Sequence, residues 1–475
     1  MQSNPNVADQ QGHPHPQKTQ GRVVSGGSAT HLFEQPVTTF DSKPTAIRLS
    51  DLAGGEVGHM NEDIDQPGPL IGAITALVPS AHDHHWHSQF AILVAAKGML
   101  SAIALAALAE RLGAAGLAFD RRGHNDRQVW IGQQTQHDRN GAKSFIHIAS
   151  NTATNNGGGI NISSGSLTIS GGTIGGAGIG NTAALLGGGI YTQSTTSING
   201  TLIEDNTASG SGGGGIHVST ASGTATIQNA TIKKNKALDA GGGIYVATGG
   251  TVNISKSAID QNSLTAAGTG GGVYNESIFN AKETSFTVNT ASVNTSYGGG
   301  LYNNAGTATL KNVTISNNTA NTGSGGGIKV VGGTVKTNNV TIAYNSAPNS
   351  VGGGIHVDAT GTLEIGNTIL SDNSALGVIE CDLGGGTVTD KDHNLIHQTT
   401  TCGFSTVLNN IFGSSANLAA LAGTTPAYHA LNAGSPAIDK DDAFGSATQA
   451  CEANDTRGVA RPFGSHCDIG AYEKN

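Results

Sequence analysis

The chain has little charge, few aromatic rings and, over most of its length, no arginine. Charged residues make up 12% of the 475 residues and aromatics 4%. From Gly141 to Thr456 there is no Arg at all. The net charge is −9 and no basic block interrupts it, so a nucleic-acid role has no electrostatic footprint. Cysteine is scarce and confined to Cys381, Cys402, Cys451 and Cys467, with no CxxC pair, which speaks against a structural zinc site. Met1 to Gln20 contains no apolar core, so no signal peptide begins at residue 1. What the chain does have is glycine: 71 residues, about twice the usual ~7% share. These glycines are periodic and interleaved with Ile, Val and Thr, which argues for order rather than a flexible linker.

A Gly-Gly-Gly-apolar motif recurs, with its apolar residue at Ile160, Ile190, Ile216, Ile244, Val273, Leu301, Ile328 and Ile355. A second motif, Asn then a small or polar residue and usually Ala, starts at Asn151, Asn181, Asn206, Asn235, Asn262, Asn289, Asn318, Asn345 and Asn373. In most copies an apolar residue precedes that Asn by three, as with Ile232, Phe286 or Ile342. A Gly-Thr strand, such as Gly223 to Ile227, lies between the two motifs. Two independent motifs keep one register of about 27–30 residues.

Each unit carries three short alternating patterns and no helix, as in Ile244-Tyr245-Val246 and Thr251-Val252-Asn253-Ile254. Period-2 alternation means strands with one buried face. The turns between them are too short for a βαβ crossover, so each unit must be one coil stacked on the next. The spacing also rejects a β-propeller, whose blades need about 40–50 residues. The predicted fold is all-β: a single-stranded, right-handed parallel β-helix of about nine coils, a rod roughly 40 Å long at about 4.8 Å per rung. Glycine triplets are expected at tight corners, and the stacked Asn side chains are expected to form a ladder along the axis. No coil buries its apolar face alone, so the ends need caps.

The predicted organisation has four parts. Residues 1–98 are a polar, His-rich stretch, read as disordered; 99–140 is an apolar helix; 141–378 is the β-helix; 379–475 is a terminal coil with a disulfide-stapled cap that blocks edge-to-edge strand addition. Phe90 to Ala109 is apolar apart from Lys97, and three readings stay open: a membrane segment, an internal export signal starting at Met99, or a helix capping the first coil. On the second reading residues 1–98 lie outside the natural product. Pairing by sequence proximity gives Cys381–Cys402 and Cys451–Cys467, with four buried free thiols as the alternative. His82-Asp-His-His-Trp-His87 lacks supporting ligands and is read as a solvated run, and Asp439, Asp441 and Asp442 lack a spaced set of oxygen ligands for calcium, so no metal or other cofactor is expected.

The GGGI and apolar-x-x-Asn repeats resemble those of polymorphic outer-membrane proteins; Phe286 to Asn289 fits the FxxN form as written. The stretch Asn432-Ala-Gly-Ser-Pro-Ala-Ile-Asp439, with Asp455-Thr-Arg-Gly458, Arg461-Pro462 and Cys467-Asp-Ile-Gly-Ala-Tyr-Glu473, is similar to the closing domain of bacterial β-helix proteins of the choice-of-anchor type. The resemblance covers about residues 145–475 and implies export to the cell surface, outer membrane or medium, with no defined activity. Such surface proteins end in a transmembrane barrel; the reading up to Asn475 expects none here.

Two functions fit such a rod: a non-catalytic scaffold with adhesin-like binding, or a polysaccharide lyase or glycoside hydrolase of the pectate-lyase-like fold. The enzyme reading needs clustered carboxylates and a basic residue facing the substrate. The coil acids, among them Glu204, Asp205, Asp239, Asp260, Glu276, Glu283, Asp358, Glu364 and Asp372, form no evident column, and Lys233, Lys234 and Lys236 read as a solvated edge beside Asp239. The expectation is therefore no enzyme. For binding, the residue after each GGG-apolar motif should point outward: Asn161, Tyr191, His217, Tyr245, Tyr274, Tyr302, Lys329 and His356. This makes a flat aromatic strip suited to sugar rings or a partner surface, or else a purely stabilising stack. The expected partners are a carbohydrate or a host- or cell-surface protein, with residues 90–109 as the candidate membrane contact and no nucleic acid.

Overall fold

A computed structural model describes 90–95, 128–138 and 141–475, apart from 220–222, 292–295, 399 and 442–449, with side chains from 146 onward. The predictions for residues 1–89 and 96–127 fall outside these residues, as does Asp442.

The architecture follows from one coil. Ile244–Val246 forms the first face. Thr251–Asp260 makes the second and third, bent at Lys256, whose φ is 48°. Ser263–Leu264 is a short fourth strand, and the chain then reaches the next glycine triplet. Ile244 stacks in parallel register on Val273, Val252 on Phe279 and Ile259 on Phe286. Repeated, this gives a parallel β-solenoid of about nine turns between residues 147 and 396. Among the described residues there is no helix. Ile, Val, Leu and Phe fill the bore; Ile244, Val246, Val252 and Ile259 are fully buried.

Three strands per coil were predicted; the structure has a fourth face. Two-residue strands from Thr152–Ala153 to Ser374–Ala375 form a nine-stranded sheet of their own. The small residue two after the ladder Asn, Ala in every coil but that of Leu264, sits in this tight corner, as Ala183, Ala208 and Ala320 do. The triplet also works in a more specific way than predicted. In Gly241-Gly242-Gly243 only the first has positive φ, 60°. The other two are close-approach positions: a Cβ on Gly242 would lie 2.3 Å from the Gly271 carbonyl oxygen, and one on Gly243 2.8 Å from that of Gly272.

The first coil is entered from an antiparallel hairpin arrangement. Phe90–Ala95 pairs with Gln128–Asp138, which pairs with Gly141–Ile148, and His147 and Ile148 then join the solenoid beside Thr173 and Ile174. The described part of the predicted 99–140 helix, Gln128–Asp138, is thus strand, because its backbone hydrogen bonds are taken by neighbours on both sides.

At the other end, Cys381–Gly384, Thr387–Asp390 and Leu395–Ile396 continue the coils past residue 378. Disulfides join Cys381 to Cys402 and Cys451 to Cys467. The cap reading needs correction: residues 415–441 and 450–475 do not lie across the end but run back along the third face. Ala416 N–H donates to Ser371 Oγ, Ala427 N–H to Ser285 Oγ and Ala471 N–H to Thr341 Oγ1; His429 Nε2 bonds Ser316 Oγ. Small outward residues on that face leave room for the segment. Ile369, Leu395, Ala416, Leu431, Ala437 and Ile469 form a second, minor core beneath it. Asp455, Arg461, Asp468 and Glu473 are buried there, Arg461 donating to the carbonyls of Asp468 and Gly470. Asp441, set aside as a calcium ligand, accepts from Asn339 Nδ2 at 2.6 Å.

Candidate functional site

Two axial columns carry most of the polar chemistry. The first is the asparagine ladder. All nine Asn residues are buried. Each Nδ2 donates to the Oδ1 of the next coil, at 2.8 Å from Asn181 to Asn206 and 3.0 Å from Asn235 to Asn262. The same Nδ2 donates back to the carbonyl of the apolar residue one coil earlier, as Asn262 does to Ile232 and Asn318 to Phe286. That second bond explains the apolar-x-x-Asn motif. The copy before Asn181 lacks it in sequence, and Ile174 takes the place, its carbonyl accepting from Asn206. The left-handed residue is the one before the Asn, not the Asn: φ is 55° at Lys234, 56° at Val288 and 57° at Tyr344. This bend turns the amide inward.

The ladder ends on a carboxylate. Val378, Ile379 and Glu380 replace the next glycine triplet, and the Glu380 carbonyl accepts from Ile355 N–H as Gly354 does from Ile328. Its side chain stands where a further Asn would be and accepts from Asn373 Nδ2 at 2.6 Å. Glu380 is fully buried, and burial pushes its carboxyl up to about 7.

The second column is the stripe. Tyr191, His217, Tyr245, Tyr274 and Tyr302 are in register on successive rungs. Their ring centroids are 5.3, 4.7, 4.7 and 5.4 Å apart and the planes lie within 21° of parallel. This corrects the flat exposed strip. The rung spacing is also the ring-stacking distance, so each ring covers its neighbour's face. Tyr191 and His217 are buried and Tyr245, Tyr274 and Tyr302 half-buried. Only ring edges and hydroxyls face solvent. Tyr274 donates to Glu276 at 3.0 Å. Burial, then the adjacent Glu276 carboxylate, push the Tyr245 and Tyr274 hydroxyls up, so both remain neutral donors. Burial lowers His217 to about 4, against a backbone hydrogen bond to Gly212 that favours the protonated ring.

Beyond Tyr302 the column becomes ionic. Lys329 follows Tyr302 in register, then His356, then Asp382. Lys329 Nζ donates to Asp358 Oδ1 at 2.7 Å and to Ser324 Oγ at 2.9 Å. His356 Nε2 lies 2.8 Å from Asp358 Oδ1 and Nδ1 2.7 Å from Asp382 Oδ2. A neutral imidazole carries one N–H, so His356 donates to one of the two carboxylates at a time. Burial and then the Lys329 charge lower the His356 pKa against the pull of the aspartates. Burial raises Asp358, but the Lys329 and His356 bonds and charges outweigh it and hold it low. Sequence reading missed this network. Asp358 lies two residues after His356 on the same outward face, and Asp382 lies one coil further on, where the lost glycine triplet hides the register. Other expected neighbours separate: Lys233 and Lys234 turn to Glu204 at 3.4 Å each, while Asp239 accepts from Ser211. No group of three or more metal-ligating side chains occurs among the described residues.

Fold and columns together define a parallel β-solenoid with an internal amide ladder and an outer ring stack. No family model, no curated protein and no solved structure matches the chain.

Proposed function

We propose that the protein is an exported, non-catalytic β-helix scaffold whose stripe holds a carbohydrate or the surface of a partner protein. The observation that carries this reading is the unbroken register of Tyr191 to Tyr302, which presents a straight row of ring edges and hydroxyls beside Glu276. The two disulfides fit an oxidising, extracellular environment. The similarity of the repeats and closing segment to polymorphic outer-membrane and choice-of-anchor proteins agrees with surface exposure. The cluster of Lys329, His356, Asp358 and Asp382 favours a second reading, a polysaccharide lyase or glycoside hydrolase, since a buried imidazole next to a half-exposed carboxylate suits proton transfer. A polysaccharide array on the full chain, with reducing-end release assayed in the same wells, separates the two. Retention without release is expected; release of sugar transfers the case to the enzyme reading.

A further inference from the structure

We propose that the stripe takes an extended, neutral, hydroxyl-rich glycan lying along the solenoid axis and bound edge-on, and that it rejects polyanionic glycans. This rests on the carbohydrate-binding reading above and names its ligand class.

Three observations lead there. The first is that the ring faces are unavailable. With centroids 4.7–5.4 Å apart, each internal ring is covered on both sides by its neighbours. A sugar cannot stack on a face that another ring occupies, so recognition must come from hydroxyls and carboxylates at the edge.

The second is the sign of the rim. The acceptors along it are Asp239, Glu276, Asp358 and Asp382, all partly exposed. The one cation in the column, Lys329, has a side chain only 6% exposed and is held by Asp358 and Ser324. Its ammonium also lies over the Tyr297 ring, 5.5 Å from the centroid. A uronate or sulfated chain would meet carboxylates and neutral hydroxyls with, among the described residues of the column, no free cation to pair with, a juxtaposition that costs affinity. A neutral sugar instead offers hydroxyl donors to Glu276 and Asp358, and such charge-assisted bonds are the stronger kind.

The third is spacing. Parallel rungs repeat at about 4.8 Å, so the Tyr245, Tyr274 and Tyr302 hydroxyls recur at the scale of one sugar ring, with the Glu276 and Asp358 carboxylates three coils apart along the same line. An extended chain parallel to the axis meets several rungs in succession; a compact or branched ligand meets one.

The test is an array of linear neutral, uronate and sulfated oligosaccharides probed with the full chain, and then with Glu276→Gln and Tyr274→Phe, each checked for unchanged β-structure by circular dichroism. Binding confined to neutral chains, insensitive to salt and weakened about tenfold or more by Glu276→Gln, is the expected result, since a hydrogen bond to a charged group is worth at least that. Tyr274→Phe keeps the ring stack and removes only the hydroxyl, so a loss there assigns the contact to the edge. Preferential, salt-sensitive binding of uronate or sulfated chains overturns the inference while leaving carbohydrate binding in place. Neutral binding unchanged in both variants also overturns it, by placing the glycan elsewhere. Retention of no glycan ends the inference and the carbohydrate reading together.

Discussion

Replacing Glu380 by Gln should cost about 1 kcal/mol or more in acid and turn to a net gain at alkaline pH. Glu380 is fully buried at the end of the asparagine ladder, and burial raises its carboxyl from an ordinary 4.5 to about 7. The folded protein therefore holds this proton more tightly than the unfolded chain does. The resulting stability is fully present below the unfolded value, near 4.5, and is lost as pH rises through about 7. At 1.36 kcal/mol per pH unit the gap is worth roughly 3 kcal/mol. Gln keeps an oxygen to accept from Asn373 Nδ2 and cannot ionise. Its amide nitrogen enters a site where Glu380 Oε1 has no partner, which costs about 1 kcal/mol or more at every pH. The decisive quantity is thus the difference between the proteins' pH slopes rather than either stability alone. Other titrating groups, such as Asp468, which burial raises to about 6, cancel in that comparison. Urea unfolding at pH 5 and pH 8.5, with hydrogen exchange at the Ile355 and Ser374 amides, measures it. Parallel pH dependence in the two proteins would refute the argument that Glu380 is a buried, proton-sensitive end to the ladder.

His217 carries the opposite sign: its pKa is depressed to about 4, so its contribution is present above 6.5 and lost as pH falls toward 4. His217→Phe should retain the stack and flatten the acid limb of a stability–pH curve by as much as about 3 kcal/mol. Val288 sits at φ 56° with 44% of its surface exposed, so it bears left-handed strain with little packing to offset it. Val288→Asn should raise stability by about 1 kcal/mol in urea unfolding, whereas Tyr344→Asn, at φ 57°, should gain less because that ring packs on His429. The paired change Cys451→Ser and Cys467→Ser opens a loop of 16 residues and should cost about 3 kcal/mol, expressed as faster proteolysis of residues 415–475 with the solenoid's circular dichroism unchanged.

Much of the solenoid was legible because a parallel coil repeats its chemistry at one spacing. The glycine triplets marked the corner where backbones touch, and the apolar-x-x-Asn motif marked a bond between coils. The fourth face was missed because two residues, such as Thr182–Ala183, carry no alternation to read. The burial of the stripe was missed because outward orientation follows from alternation, but exposure depends on what stands on the next rung. The Lys329, His356, Asp358 and Asp382 network was missed because Cys381 begins a coil with no glycine triplet before it.

The sequence by itself determined the all-β class, the coil length, the number of turns and the ladder. Each is either a local preference or a property repeated every coil, and repetition makes register visible without coordinates. Only the tertiary structure decided that ring faces close on one another, that a buried glutamate ends the ladder, and that residues 415–441 and 450–475 lie along the flank instead of across the end. Those outcomes depend on single contacts between residues up to 194 positions apart, as with Thr231 and Thr425, and no period in the chain encodes them.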